Sequence, residues 1–206
     1  MKHRVLAAGV VFAGWALPAM PASAQRVGLF FDDRATLCEA PILPFGQSVH
    51  VWVFAFPPPD SVIGGVAFKL QLPPNMYVAA GSLRLPGRPP VASTTGDLLG
   101  GITIRYGACV TGISPFLVAE MALDDRDRFG MRNDLRVTLV GVATDSMVAD
   151  VPEILICDPG DPLGAERGRL RAPSIDAVFN CTAHCGCTTA VRPRSWSEMK
   201  FLYRER

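Results

Sequence analysis

The stretch GVAFKLQL, residues 65–72, decides the fold class. Val66, Phe68, Leu70 and Leu72 take alternate positions, and Ala67, Lys69 and Gln71 fill the gaps. Successive side chains of a strand point to opposite faces, so period two with one polar face predicts a half-buried antiparallel strand. ITIRY (residues 102–106) repeats the pattern, with Ile102, Ile104 and Tyr106 opposite Thr103 and Arg105. LRVTL (residues 135–139) does so again, with Leu135, Val137 and Leu139 opposite Arg136 and Thr138. FLVAEMAL (116–123) and EILIC (153–157) are runs of similar character. Between these runs lie Pro57-Pro58-Pro59-Asp60, Gly64-Gly65, Pro73-Pro74-Asn75, Pro86 to Pro90, Gly100-Gly101 and Asp158-Pro159-Gly160, which read as turns. With 18 prolines and 19 glycines, the body of the chain has no room for long helices. Many short strands joined by such turns predict an all-β fold, a sandwich or a barrel.

SVHVWVFAF, residues 48–56, departs from the half-polar pattern. Val49, Val51 and Val53 lie on one face, and His50, Trp52, Phe54 and Phe56 on the other. With both faces apolar, one must be covered by something beyond the opposite sheet. The strip His50, Trp52, Phe54 is therefore the candidate binding site. On an open sheet face it would stack sugar rings or dock a partner; on an enclosed face it is core.

The two ends read differently from the body. Lys2, His3 and Arg4 precede an apolar run from Val5 to Leu17, and Ala22-Ser23-Ala24 is an A-x-A cleavage signal. Residues 1–24 thus read as a secretory signal peptide cut after Ala24, for a secreted or periplasmic protein. No segment reads as a membrane span. Residues 25–190 form the sandwich domain, and 191–206 a helical tail. In that tail Ser195 and Glu198 make a capping box, and Trp196, Met199, Leu202 and Tyr203 fall near one face of a short helix. Docked on the sandwich, this helix would cover the aromatic strip with Trp196.

The formal net charge of the 206-residue chain is +1, and losing Lys2 and Arg4 keeps it near zero. Such balance gives no electrostatic case for nucleic acid or an anionic membrane. All six cysteines (Cys38, Cys109, Cys157, Cys181, Cys185 and Cys187) lie in the exported part, where an even count favours disulfides. Connectivity is not readable from sequence, although a Cys185–Cys187 ring would be strained. The favoured arrangement staples Cys38 to Cys109 and pairs Cys157 with one of the three late cysteines, leaving the other two for each other.

The other candidate sites each have a plainer reading. Cys181, His184, Cys185 and Cys187 would supply a Cys₃His set for zinc, but within too short a stretch and in an oxidising space. Cys185-Gly186-Cys187 lacks the spacing and context of a thioredoxin-like motif. LDDRDRFGMRND (123–134) carries Asp124, Asp125, Asp127 and Asp134, an alternative calcium loop. It fails the EF-hand pattern and reads as a solvated hairpin tip. Asp32 and Asp33 read as turn caps in preference to a ligand pair. G-x-S-x-G, P-loop, G-x-G-x-x-G and H-E-x-x-H are all missing. No metal and no cofactor are assigned.

Two resemblances add to this. GQSVHVWVFAF, then GVAFKLQLPPNMYV, then GGITIRY and LRVTL resemble, in order, the strand motifs of cohesin-like β-sandwiches over about half the chain. VGLFFDDRATLC, GGITIRYGACV, ILICDPGDP and SWSEMKFLYR are similar to a group of uncharacterised secreted bacterial proteins with a Trp-x-x-x-Lys-x-x-Tyr tail, here Trp196, Lys200 and Tyr203. The expectation is an antiparallel β-sandwich, a cohesin-like or immunoglobulin-like jelly roll, with a short C-terminal helix. Its expected role is that of a non-enzymatic module engaging a protein or glycan through a sheet face. The alternatives are a module dependent on calcium or zinc, and a hydrolase whose carboxylates the sequence does not single out.

Overall fold

A computed structural model describes residues 25–40, 47–111, 114–125, 134–142, 151–158, 160 and 166–181. The expected signal peptide (residues 1–24), Asp127 of the alternative calcium loop, the cluster residues His184, Cys185 and Cys187, and the expected tail from residue 191 lie outside them.

Every element among the described residues is a strand. The first sheet contains β1 (Arg26–Phe30), β3 (Ser48–Phe56), β5 (Met76–Val78), β8 (Phe116–Asp125) and β12 (Ser174–Ile175), in the order β12-β1-β3-β8-β5. The second contains β2 (Glu39–Ala40), β4 (Val62–Gln71), β6 (Val91–Asp97), β7 (Gly101–Thr111), β9 (Leu135–Val140), β10 (Glu153–Cys157), β11 (Glu166–Arg171) and β13 (Ala177–Phe179). In this sheet β4 is the branch point. It pairs with β10, which leads to β11, with β7, which leads to β6, and through Lys69–Gln71 with β9, which leads to β13 and β2. Pairing is antiparallel except at β1–β12 and β13–β2.

One apolar cluster fills the space between the sheets. Val51, Val53 and Ala55 of β3 meet Val66, Phe68 and Leu70 of β4, Ile102 and Ile104 of β7, Met121 and Leu123 of β8, and Val137 and Leu139 of β9. Those from β4, β7 and β9 are the residues that the period-two reading set on the apolar faces, and the antiparallel sandwich is what the structure has. A second, smaller cluster lies on the outer face of the first sheet, where Phe30, Phe54 and Ile175 pack with Ala35 and Cys38.

Three readings need correction. Gly64-Gly65 is not a turn but lies inside β4. A Cβ at Gly65 would stand 2.3 Å from the Ile104 carbonyl oxygen, so the pair marks close strand approach. Asp124 and Asp125 close strand β8 instead of entering a hairpin tip, and Asp125 is buried. The Cys38–Cys109 staple is also wrong, because Cys109 is bonded to Cys157 with Cα atoms 6.2 Å apart. Cys38 packs outside the first sheet while Cys109 lies on β7 of the second, so the core stands between them. Cys157 therefore does not pair with a late cysteine.

Candidate functional site

The outer face of the first sheet positions the aromatic strip. Antiparallel pairing sets opposite residues on one face, and here three strands contribute in rows. Phe30, Trp52 and Glu120 align across β1, β3 and β8, and Arg84 bridges to Glu120 beyond them. Reciprocal backbone bonds of 2.8 Å between Arg84 and Glu120 fix that bridge. A parallel row sets Ser48 beside Asp124 and Tyr77.

The strip does not share one environment. Phe54 is buried and meets Phe30 edge-on at 5.8 Å, so it belongs to the outer-face cluster. Trp52 is half-buried at the rim of that cluster. His50 is exposed, with 57% of its side chain accessible, and its ring lies 6.0 Å from that of Trp52. Thus the face is apolar toward β1 and β12 and turns polar toward β8 and β5.

Polar contacts fix the polar half. His50 Nδ1 lies 3.1 Å from Glu120 Oε1. Ser48 Oγ donates to Asp124 Oδ1 at 2.5 Å. Tyr77, 46% exposed, completes the patch. A histidine oriented by a carboxylate is half of a nucleophilic triad. However, the nearby Ser48 hydroxyl donates to Asp124, so the arrangement supplies contacts instead of an activated nucleophile. Among the described residues no three His, Cys, Asp or Glu side chains converge as metal ligands do.

The remaining expected site residues are structural where described. Asp32 caps a turn: Oδ1 accepts from the Thr36 and Leu37 backbone N–H groups at 2.8 and 2.9 Å, and Oδ2 accepts from the Thr36 hydroxyl. Asp33 is exposed beside it. Asp134 begins the approach to β9 with positive φ, and its N–H donates to the Asn180 carbonyl. Cys38 and Cys181 are each held in a disulfide, and Cys109 is bonded to Cys157. With its sulfur so committed, Cys181 is removed from the zinc set.

Sequence reasoning missed Glu120, Arg84 and Tyr77. One signal was present: Glu120 is the lone charge in the otherwise apolar run FLVAEMAL. Nothing comparable marked Arg84 or Tyr77, which reach the face through bridging and pairing alone.

The outer face of the second sheet carries an ion cluster. Arg105 lies 2.6 Å from Glu166, and Arg169 bridges Glu166 at 2.5 Å and Glu153 at 3.0 Å. Burial pushes the Glu166 carboxyl up, but hydrogen bonds and charge from Arg169 and Arg105 outweigh it and hold it below its ordinary value. The Arg169 guanidinium is raised, first by its hydrogen bond to Glu166.

No family model matches the chain, and no curated protein does. Among solved structures it is similar to the non-cellulosomal cohesin from the hyperthermophilic archaeon Archaeoglobus fulgidus, with a TM-score of 0.47 and 13% identity over 89% of this chain and 99% of that one. It is similar to the sixth cohesin from Acetivibrio cellulolyticus scaffoldin B, solved in complex with a dockerin, with a TM-score of 0.47 and 11% identity over 77% and 99%. BcpA, the major pilin subunit of Bacillus cereus, gives a TM-score of 0.41 and 9% identity over 76% of this chain and 39% of that one. Likeness this distant says nothing of what the present chain binds.

Proposed function

We propose that the chain is an exported, non-enzymatic interaction module that engages a protein partner through the outer face of its first sheet. The observation that carries this is the open half of that face, where exposed His50 and half-buried Trp52 stand beside Glu120, Arg84 and Tyr77. Aromatic groups ringed by charge on a flat, rigid sheet match the anchors and rim of a protein interface. The disulfides support export, since such bonds persist in oxidising compartments. Among the described residues no helix is long and apolar enough to cross a membrane.

A glycan is the second reading, favoured by Trp52 and Tyr77 as stacking surfaces flanked by hydrogen-bonding groups. The test compares the full chain with its H50A and Y77A variants in pull-downs and on a glycan array. Both positions are exposed, so neither change should unfold the protein. The expected result is a protein partner held by the wild type and lost with both variants. Capture that is indifferent to both would overturn the assignment of this face, and selective retention of a sugar would replace the protein reading.

A further inference from the structure

An unpaired sheet edge offers a row of backbone N–H and C=O groups to any passing strand, and folded proteins blunt such edges by shortness or charge. Among the described residues, four sheet edges are blunted. β12 and β2 are two residues long, β5 is three, and β11 displays Arg167, Arg169 and Arg171 at alternate positions. The fifth, β6, is not. It runs seven residues as VASTTGD, is exposed from Ala92 to Asp97, and pairs with β7 alone among the described residues. It carries no charge before Asp97. The Asp97 carboxylate turns into its own turn, where Oδ1 accepts from the Leu99 and Gly100 N–H groups at 2.9 and 2.6 Å.

The inward side of β6 overhangs an opening in the sandwich. Thr94 and Gly96 pair with Ile104 and Ile102, and so share their inner face. Beside them lies a cavity of about 390 Å³, which Thr94 and Gly96 line together with Leu83, Leu85, Leu98, Leu99 and Ile102. Leu99 is 52% exposed at its mouth. The sheet edge and the cavity are continuous, because Thr94 and Gly96 belong to both.

We propose that β6 is a docking edge for an extended, uncharged segment of a partner protein with apolar side chains at every second position. Such a segment would continue the second sheet through backbone hydrogen bonds. Its inward side chains, spaced by two, would enter the cavity between β6 and Leu83–Leu85. A neutral edge matches a neutral strand, and the small Thr94 and Gly96 leave room for larger apolar groups opposite them. The site is on the second sheet, separate from the His50–Trp52 face.

The test selects random nonapeptides displayed on phage against the immobilised full chain, then measures the enriched peptide in synthetic form. Enriched peptides should alternate apolar residues, and hydrogen exchange at residues 93–96 should slow in the complex. T94K points a charge into the cavity from an exposed position that the fold tolerates. It should weaken binding at least about tenfold. N-methylation of the peptide at the alternate residues that face β6 should do the same, because it removes backbone donors. H50A should leave binding unchanged. Failure to enrich an alternating peptide, binding indifferent to T94K and N-methylation, or loss with H50A would each overturn the proposal.

Discussion

At Gly65 the missing side chain is a packing requirement. A Cβ there would sit 2.3 Å from a backbone oxygen of β7, which cannot swing aside. At Gly64 the nearest atom is the Cys157 Cβ at 3.1 Å, an approach that a few tenths of an ångström would relieve. G65A should therefore cost more than G64A, about 1–3 kcal/mol by the usual penalty of overpacking, read as a lower urea midpoint. Equal midpoints would mean that β7 yields freely. Tyr106 presents the opposite case. Its ring is buried against Phe116 at 5.8 Å, its hydroxyl has no hydrogen-bond partner among the described residues, and burial pushes its phenol well up. Removing an unsatisfied buried hydroxyl costs nothing and relieves desolvation, so Y106F should be neutral or stabilising by up to about 1 kcal/mol. A midpoint lowered by that variant would show that the hydroxyl does have a partner. The glycine pair was misread for a physical reason: its cause lies in neighbouring strands, which local composition does not name.

Strands β4, β7 and β9 were legible because each has one face on the core, so apolar residues recur at period two. β6 was not, because neither of its faces is covered from Ala92 to Asp97, and VASTTGD therefore lacks an apolar stripe. β11 was hidden by its charges, since ERGRLR sets arginines at every second position and only Leu170 packs on the core. Those charges have a measurable consequence. Glu166 titrates below its ordinary value of 4.5 in the folded chain because Arg169 and Arg105 hold it ionised. A depressed carboxylate contributes stability that is present above its unfolded value and lost as pH falls through the folded one. Urea midpoints of wild type and E166Q should thus differ at pH 7 in favour of wild type and converge as the pH falls through the folded carboxylate's lowered range. The group is partly solvated, so the difference is modest. A gap that persists into acid would show that Glu166 acts through packing and not through its charge.

The candidate face was legible only in part for a reason of scale. Alternation along β3 told which residues share a side, but not that Phe54 would be roofed by Ala35 and Cys38 while His50 stayed open. That depends on the arrangement of the whole chain, as does the disulfide. Cys109 and Cys157 belong to β7 and β10, which flank β4 on opposite sides, and the bridge passes over Gly64 where both ladders shift register. It ties three strands of the second sheet at a sequence separation of 48, while the single core cluster ties that sheet to the first. Removing the bridge by C109A/C157A should cost about 2–4 kcal/mol, since the unfolded chain regains the entropy of an open loop. Because both sheets line one core, the weakened protein should still unfold in one step. In W15F/W196F, where Trp52 is the tryptophan that remains and reports on the first sheet, far-UV circular dichroism and tryptophan fluorescence should give superimposable urea curves with the bridge and without it. Curves that coincide with the bridge and separate without it would mean that the sulfurs, and not the shared apolar layer, couple the two sheets.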